Sequence, residues 1–215
     1  MDIILIGDSG HARVITDNLV SCGHQVIAKL DAKYSELTKE DGCWFGPISE
    51  VHALIQKEGA KVIVAIGANA VRKKIVEQLG LSDEQYAIAV HREAIVSPSA
   101  VLGRGTVVMP GAVVNAEAQI GNHSIINSRA VVEHDCAVGD YVHISSGATV
   151  SGVAAIGEGA LVEAGASVIP AKHIGEWSVV RAGSAVLEDV EAFTTVVGVP
   201  AQVIAKKASK IESAN

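Results

Sequence analysis

The chain is poor in aromatic residues and in positive charge. Phe, Trp and Tyr account for 3% of its 215 residues, although 49% of the residues are hydrophobic, so its core has to be built from aliphatic side chains. An aliphatic core fits a β-helix better than a sandwich organised around aromatic residues. The formal net charge of −7 argues against nucleic acid as the main partner, because binding to phosphates requires clustered Lys and Arg.

Disulfides, a secretion signal and a long apolar segment are also missing. The three cysteines, Cys22, Cys43 and Cys136, are odd in number and follow no framework spacing, so we expect reduced thiols. The N-terminal sequence MDIILIGDSGH has neither the positive start nor the cleavage site of a signal peptide. Since no apolar run is long enough to span a bilayer, the sequence predicts a cytoplasmic protein without membrane insertion.

The chain does contain a repeat of six residues. Sixteen aliphatic residues follow one another at this spacing, and a period of six is neither the 3.6 of a helix nor the 2 of a strand. Hexapeptide repeats are typical of a β-helix, in which three hexads form a triangular coil of about 18 residues, so about five coils are expected. The repeated residues are Val96, Leu102, Val108, Val114, Ile120, Ile126, Val132, Val138, Ile144, Val150, Ile156, Val162, Val168, Ile174, Val180 and Val186.

A small side chain occupies the fourth position after most of these aliphatic residues. Ala112, Ala130 and Ala148 are examples, whereas Val142 and Lys172 are exceptions. The interior of a triangular β-helix is narrow. If it is packed as densely as other protein interiors, little room remains beside each aliphatic side chain. The hexads therefore predict a closed aliphatic core along the β-helix.

Residues 1–92 follow a different pattern and predict a short Rossmann-like α/β domain. Strands alternate with helices, which indicates a parallel sheet. The parallel β-helix is expected over residues 93–205, packed rigidly on the first domain because no linker is evident, and a flexible tail over residues 206–215. The predicted strands are 3–7, 25–30, 61–67 and 86–90, and the predicted helices run from Gly10 to Val20, from Pro47 to about Glu58 and, capped by Asn69, to about Leu79.

A glycine-containing loop joins the first strand to the first helix. Its sequence GDSGHA (7–12) lets backbone N–H groups approach a phosphate at the helix N-terminus, where the helix dipole favours an anion. An acid at the end of the second strand can bind ribose hydroxyls. The dinucleotide pattern G-x-G-x-x-G is broken at Ser9 and Ala12, so a nucleotide-sugar site is favoured over an NAD site or a turn without ligand. The predicted substrate-binding residues of this domain are Gly10, His11, Asp31, Gly67 and Asn69.

Several motifs in one order make the chain similar to a known family. It resembles the bacterial sugar acyltransferases of the PglD/NeuD group from residue 2 to about residue 204. The resemblance implies a left-handed β-helix and a homotrimer with each active site at the junction of neighbouring β-helices. It also implies acetyl-CoA as co-substrate, no metal, and a nucleotide-linked amino sugar as acceptor. The motifs are GDSGH at 7–11, LD at 30–31, AIGAN with VRKK at 65–74, SPSA at 97–100, INSRAVVEHDC at 126–136 and VVGVPA at 196–201.

His134 and Asp135 are the predicted catalytic residues. Val132 points into the core, so the corner that follows it projects His134 outward. Acetyl transfer to an amine needs a group that removes the amine's proton, and imidazole suits this task at neutral pH. Asp135 could hold the imidazole in the required tautomer. The resemblance implies that His134 is the general base; the alternative is a corner histidine that hydrogen-bonds to a neighbouring coil.

The other site residues belong to different parts of the β-helix. His143 follows His134 by half a coil, so the two imidazoles are expected to face different sides and to meet only across a subunit interface. In such a shared site His143 is expected to touch the acetyl donor, and the resemblance implies that Asn127 lies near the acceptor sugar. It implies that the N–H of Gly152 faces the thioester oxygen. It further implies that the pantetheine groove is lined around Gly165 and Gly183. Lys172, which breaks the small-residue pattern, is expected either near the CoA phosphates or as a solvated lysine.

These observations predict an acetyl-CoA-dependent N-acetyltransferase. Its acceptor would be a UDP-4-amino-4,6-dideoxy sugar or GDP-perosamine, attacked directly and without an acyl-enzyme, and its product would enter surface-glycan or glycoprotein synthesis. Ala32 stands where some relatives carry a second Asp, which leaves the nucleotide base open. The alternatives are O-acetylation of sialic acid or a polysaccharide, a non-enzymatic trimeric scaffold, and a γ-class carbonic anhydrase with zinc on His123, His134 and His143.

Overall fold

The protein is described by a computed structural model over residues 1–206, and its N-terminal part is a five-stranded sheet. The strands are β1 (Asp2–Ile6), β2 (Gln25–Leu30), β3 (Thr38–Glu40), β4 (Cys43–Gly46) and β5 (Lys61–Val64). Their order is β3-β4-β2-β1-β5, with β3 antiparallel to β4 and the other neighbours parallel. β1 and β5 are nearly continuous apolar runs, because helices and the second domain cover both faces of the sheet.

Helices pack on both faces of this sheet. The described residues contain α1 (Gly10–Ser21), α2 (Val51–Glu58) and α3 (Asn69–Leu79), with 3₁₀ turns at Ile48–Glu50 and Asp83–Gln85. Gly59 and Gly80 follow α2 and α3 in the left-handed conformation, which ends a helix at little steric cost. α2 and α3 pack on one face of the sheet and α1 on the other.

The second part is a parallel β-helix with three faces. Strands of two residues pair with the strands 18 residues before and after them, as Val113–Val114 does with Val131–Val132. Face 1 contains Ala89–Val90, Val107–Val108, Ile125–Ile126, His143–Ile144, Leu161–Val162, Val179–Val180, and the hairpin Thr194–Gly198 and Ala201–Lys206. Face 2 contains Ile95–Val96, Val113–Val114, Val131–Val132, Thr149–Val150, Ser167–Val168 and Ala185–Val186. Face 3 contains Val101–Leu102, Gln119–Ile120, Ala137–Val138, Ala155–Ile156 and His173–Ile174.

The interior of the β-helix is filled as the hexads predict. Most of the repeated aliphatic residues are buried in one hydrophobic cluster together with the small residues that follow them, such as Ala130 and Ala148. The turns between faces are called corner 1–2, corner 2–3 and corner 3–1 below. The fold class predicted from the hexads is therefore confirmed.

One hydrophobic cluster joins the two parts of the chain. Ile15 and Leu19 of α1 pack together with Val107 and Ile125 of face 1. Asn18, also on α1, is buried and its amide donates a hydrogen bond to the carbonyl oxygen of Val108 (3.0 Å). The helix thus lies between the sheet and the β-helix, and the first domain covers the upper coils of face 1.

Four local features differ from the sequence prediction. Ala89–Val90 pairs with Val107–Val108 as the first strand of the β-helix, whereas the α/β sheet was expected to end with a strand over 86–90. Val90 precedes Val96 by six residues and so already belongs to the hexad pattern. The hairpin of β3 and β4 and the hairpin 194–206 were not predicted either. Of the tail predicted over 206–215, Lys206 ends a strand and residues 207–215 lie outside the described residues.

None of the helices in residues 1–206 is long and apolar enough to cross a membrane.

Candidate active site

His134 and Asp135 form a hydrogen-bonded pair at corner 2–3. The imidazole Nδ1 lies 2.7 Å from a carboxylate oxygen of Asp135, and both side chains are exposed. Asp135 adopts the left-handed conformation (φ +57°) and its N–H donates to the carbonyl oxygen of Ala116 (3.0 Å), which fixes the corner. A carboxylate at Nδ1 favours the tautomer with its proton on that nitrogen, so Nε2 is free to accept a proton.

Gly152 lies directly beneath the imidazole. It follows His134 by 18 residues and therefore occupies the same corner one coil further on. A β-carbon built on Gly152 would lie 2.7 Å from Nε2 of His134, a distance at which the ring would have to move. Only glycine allows the imidazole to take this position over the backbone.

His143 occupies face 1, away from His134, as the half-coil spacing predicts. Its Nε2 lies 3.0 Å from the side-chain amide nitrogen of Asn127. Burial and the nearby positive charge of Arg72 lower the pKa of His143 to about 4, so the ring is neutral. The neutral ring can donate from Nδ1 to the backbone of Gly67 and accept from Asn127, which ties the β-helix to the loop after β5.

His11 lies beside His143. The two ring centroids are 6.4 Å apart. Burial, with the charge of Arg72, lowers the pKa of His11 to about 4, and its Nε2 is buried without a hydrogen-bond partner in residues 1–206. Four of the predicted site residues, His11, Gly67, Asn127 and His143, therefore meet at one place between the domains.

The loop before α1 presents backbone N–H groups at the start of the helix. Ser9 precedes the helix without a side-chain cap, so backbone N–H groups of the first turn remain available. Gly10 has open space where a side chain would lie, and Gly7 adopts φ +111° close to the carbonyl oxygen of Ala65. Gly10 thus leaves the start of the helix open, and Gly7 allows the chain after β1 to pack closely against the backbone after β5.

Asp31 organises this loop from the end of β2. Its carboxylate accepts hydrogen bonds from the N–H groups of Asp8 (2.8 Å) and Lys33 (3.1 Å). Asp8 in turn accepts from Lys33 Nζ (2.6 Å) and from the Tyr34 hydroxyl (2.7 Å). Burial opposes the ionisation of Asp8, but these two hydrogen bonds outweigh it and lower the carboxyl pKa. Sequence reasoning missed Asp8, Lys33 and Tyr34, although Asp8 lies two residues before Gly10, and Lys33 and Tyr34 lie two and three residues after Asp31.

Asn69 has a different role from the predicted helix cap. The residue at the cap position of α3 is Ala68, and no side chain caps the helix there. The Asn69 amide instead donates to the carbonyl oxygens of Gly159 and Ala160, both at 3.1 Å. The prediction of a capping role was wrong because the second domain supplies acceptors that sequence alone does not place near α3.

Arg72 is a fully buried cation that the sequence analysis did not identify. Its guanidinium group donates to the carbonyl oxygens of Ile66 (2.8 Å) in the first domain and of His123 (2.7 Å) and Tyr141 (2.9 Å) in the β-helix. It also donates to the side-chain oxygen of Asn69 (2.9 Å). Burial lowers its pKa to about 10, so the group stays charged at neutral pH. Arg72 thus fastens the loop after β5 to corner 3–1.

A groove of about 620 Å³ runs from His143 along face 1. Leu161, Val179 and Trp177 give it apolar walls, and the loop 67–70 borders it on the other side. Gly165 and Gly183 do not line the groove themselves but directly follow the lining residues Ala164 and Ala182 at corner 1–2, where both glycines have positive φ. Lys172 lies near Glu188 (3.5 Å).

His123 is unsuited to join His134 and His143 in a metal site. Its ring is buried, stacks on Tyr141 (centroids 5.4 Å apart) and meets the edge of Tyr86 (4.5 Å). The three histidines occupy corner 3–1, corner 2–3 and face 1. No group of three or more His, Cys, Asp and Glu side chains in residues 1–206 is arranged to hold a metal ion.

The buried histidines predict that the protein loses stability in mild acid. Burial, with the charge of Arg72, lowers the pKa values of His11, His123 and His143 from 6.5 to about 4. The unfolded chain therefore binds more protons than the folded chain between pH 6.5 and 4. As the pH falls through this window, the free energy of unfolding decreases by up to about 3 kcal/mol per histidine.

Denaturant unfolding of the variant His123→Gln at several pH values checks this prediction. The variant should show a shallower loss of stability between pH 6.5 and 4 than the wild type. His52→Gln, which alters an exposed histidine, should keep the wild-type slope. Equal slopes in the wild type and His123→Gln would contradict the prediction.

Comparisons with known proteins agree with this architecture. The family described as the PglD N-terminal domain matches residues 2–79, and the family of bacterial transferase hexapeptides (six repeats) matches residues 117–152. A curated relative, UDP-N-acetylbacillosamine N-acetyltransferase of Bacillus subtilis (strain 168), is 41% identical over 112 residues. That match covers 50% of this chain, and the chain spans about half (51%) of the length of the relative.

Two solved structures match almost the whole chain. One is a histidine-to-asparagine mutant of perosamine N-acetyltransferase from Caulobacter crescentus in complex with CoA and GDP-perosamine. It is 34% identical, with a TM-score of 0.87 over 96% of this chain and 98% of that chain. The other is the acetyltransferase domain of PglB from Neisseria gonorrhoeae FA1090 in complex with acetyl coenzyme A. It is 31% identical, with a TM-score of 0.85 over 94% of this chain and 98% of that chain.

The β-helix and its outward histidine–carboxylate pair define the class of the protein as a hexapeptide-repeat acyltransferase. The N-terminal domain and the full-length structural matches narrow this class further. The chain belongs to the PglD-type family of sugar N-acetyltransferases.

Proposed function

We propose that the protein transfers the acetyl group of acetyl-CoA to the amine of a nucleotide-linked amino-deoxy sugar. The observation that carries the proposal is the His134 imidazole, which is held by Asp135 over the backbone of Gly152. Relatives at 31–34% identity that bind CoA, acetyl-CoA or GDP-perosamine support both substrate classes. The product would serve surface-glycan or glycoprotein synthesis in the cytoplasm.

The geometry at corner 2–3 supports the following reaction. The acceptor amine attacks the thioester carbonyl directly, and Nε2 of His134 takes the amine's proton. Asp135 stabilises the imidazolium that forms, and the N–H of Gly152 donates to the oxyanion. The thiolate of CoA leaves and receives the proton.

Cys136 is poorly placed to carry the acetyl group as a covalent intermediate. Cys136, the cysteine next to the pair, is buried inside the β-helix, and its thiol donates to the carbonyl oxygen of Ser151 (3.2 Å). Burial raises the pKa of this thiol, so it is protonated at neutral pH. Direct transfer in a complex of both substrates is therefore proposed.

The first domain would bind the nucleotide part of the acceptor. The first turn of α1 offers N–H groups to the diphosphate, and the network of Asp31, Asp8 and Lys33 fixes the loop beside it. His11, whose Nε2 has no hydrogen-bond partner within residues 1–206, and Asn127 would position the amino sugar. Acetyl-CoA would lie in the groove along face 1, with its pantetheine arm against Leu161 and Val179.

A homotrimer would complete the site. His134 projects from corner 2–3, whereas the groove runs along face 1 on another side of the same protomer. A three-fold arrangement can place the His134 of one protomer at the groove of its neighbour. Light scattering should then give three times the 22.2 kDa mass of one chain.

Complementation between two inactive variants tests the shared site. His134→Ala removes the base, and Leu161→Trp fills the groove, so each variant alone is expected to be inactive. Mixed trimers from co-expression contain junctions with an intact base and an intact groove, so about one site in four should regain activity. No activity in mixed trimers would place the base and the groove in the same protomer.

Release of CoA from acetyl-CoA tests the reaction itself. The acceptors are UDP- and TDP-linked 4-amino sugars, GDP-perosamine and free sialic acid. Turnover with one nucleotide amino sugar is expected and would identify the base that the first domain binds. Activity with sialic acid alone would instead support O-acetylation, for which the same His134 could serve as base.

A further inference from the structure

Val153 adopts a backbone conformation that its side chain disfavours. Its φ is +64°, and it is the one β-branched residue among the ten non-glycine residues with positive φ in residues 1–206. Left-handed φ is a genuine outlier for a β-branched residue. Glu117, Asp135 and Ala171 take the same conformation at the same corner without a branched β-carbon.

The position of Val153 adjoins the catalytic pair. It directly follows Gly152, the residue beneath the imidazole, and its N–H donates to the carbonyl oxygen of His134 (3.0 Å). Asp135 stands 18 residues earlier at the same corner, one coil away, which corresponds to about 4.8 Å between neighbouring strands.

Packing within the protomer does not account for this residue. Val153 is 56% exposed, so its isopropyl group gains little burial in return for the strained backbone. Strained residues that persist without such compensation concentrate at functional sites.

We propose that Val153 forms the wall of the acyl pocket and limits the acyl donor to acetyl-CoA. This inference rests on the proposed function, in which the Gly152 N–H binds the thioester oxygen. The attacking amine then lies towards His134, and the sulfur leads into the groove of the neighbouring protomer. The acyl chain is left to extend along the corner, past the residue that follows Gly152.

The reach of the side chain matches this task. Neighbouring Cα atoms are about 3.8 Å apart, so the Val153 side chain begins one residue from the backbone that would hold the thioester oxygen. A single methyl group fits in the space before the side chain, whereas a propyl chain would contact it. An extra methylene in such a pocket typically changes selectivity by about 10–200-fold.

Calorimetric titration with acetyl-CoA and butyryl-CoA tests the proposal on the full chain without any acceptor. The wild type is expected to bind butyryl-CoA at least about tenfold more weakly than acetyl-CoA. Val153→Gly should remove most of this difference, and Val153→Ala should remove part of it. Val153→Ala guards against misfolding, since Ala171 shows that alanine takes this conformation one coil further on.

Ala171→Gly is the matched control. It relaxes a left-handed residue (φ +58°) at the same corner but one coil away from Gly152, so it should keep the wild-type preference. Equal preference in the wild type and in both Val153 variants would overturn the inference and leave the proposed function standing. The absence of acetyl-CoA binding to the wild type would overturn both.

Discussion

Replacement of His134 by alanine is expected to lower kcat for acetyl transfer by about 10²–10⁴-fold, the usual contribution of a general base. The variant still offers the groove and the Gly152 N–H, so KM for acetyl-CoA should change little. The side chain is exposed at a corner, and its removal leaves the β-helix interior intact. Steady-state assays of CoA release measure the effect.

His173→Ala supplies the control for this experiment. His173 is an exposed histidine on face 3, and its replacement should leave turnover unchanged. Asp135→Asn should have an intermediate effect, because an amide can orient the imidazole but stabilises its charged form poorly. Turnover of His134→Ala within a few-fold of the wild type would rule out His134 as the base.

Replacement of Arg72 by methionine is expected to lower the free energy of unfolding by roughly 3–5 kcal/mol. Methionine fills much of the same volume but donates no hydrogen bond. The carbonyl oxygens of Ile66, His123 and Tyr141 and the side chain of Asn69 would lose their partner. Each buried acceptor left without a donor costs about 1–3 kcal/mol. Urea unfolding, followed by circular dichroism, measures the change.

Lys74→Met is the matched control for Arg72→Met. It removes a positive charge two residues further along the same helix, where the side chain is exposed, and should change stability little. Arg72→Lys should recover only part of the lost stability, because an ammonium group cannot reach acceptors in both domains at once. Equal stability of the Arg72→Met and Lys74→Met variants would contradict the structural role of Arg72.

The β-helix could be predicted because its signal is local and repeated. Each hexad places one aliphatic residue inward, and the same residue type recurs from Val96 to Val186, so no knowledge of distant contacts is needed. The hairpin of β3 and β4 lacks such a signal. Its outer strand, Thr38–Glu40, is polar and fully exposed, and it forms only because the neighbouring strand offers a free edge.

The contacts between the domains could not be predicted from the sequence, because they join residues that are far apart in the chain. Arg72 stands in the run VRKK, and a run of charges on a helix usually indicates a solvent-exposed face. Its burial depends on carbonyl groups of corner 3–1, which lie 51 and 69 residues away in sequence. Asn69 likewise bonds to carbonyl oxygens that are distant in sequence, those of Gly159 and Ala160. In contrast, the pair of His134 and Asp135 is local in sequence, and its 2.7 Å contact follows from one corner.

The 18-residue spacing also restricts how the chain can change in length. An insertion of one hexad between His134 and Gly152 would move every later corner round to the next edge of the prism, so the backbone beneath the imidazole would come from a different column of residues. An insertion of 18 residues would restore the orientation of each column and lengthen the prism by one layer. The distance between the catalytic corner and the far end of the groove can therefore change in evolution only by whole coils. Finer changes in the site require single substitutions at the corners.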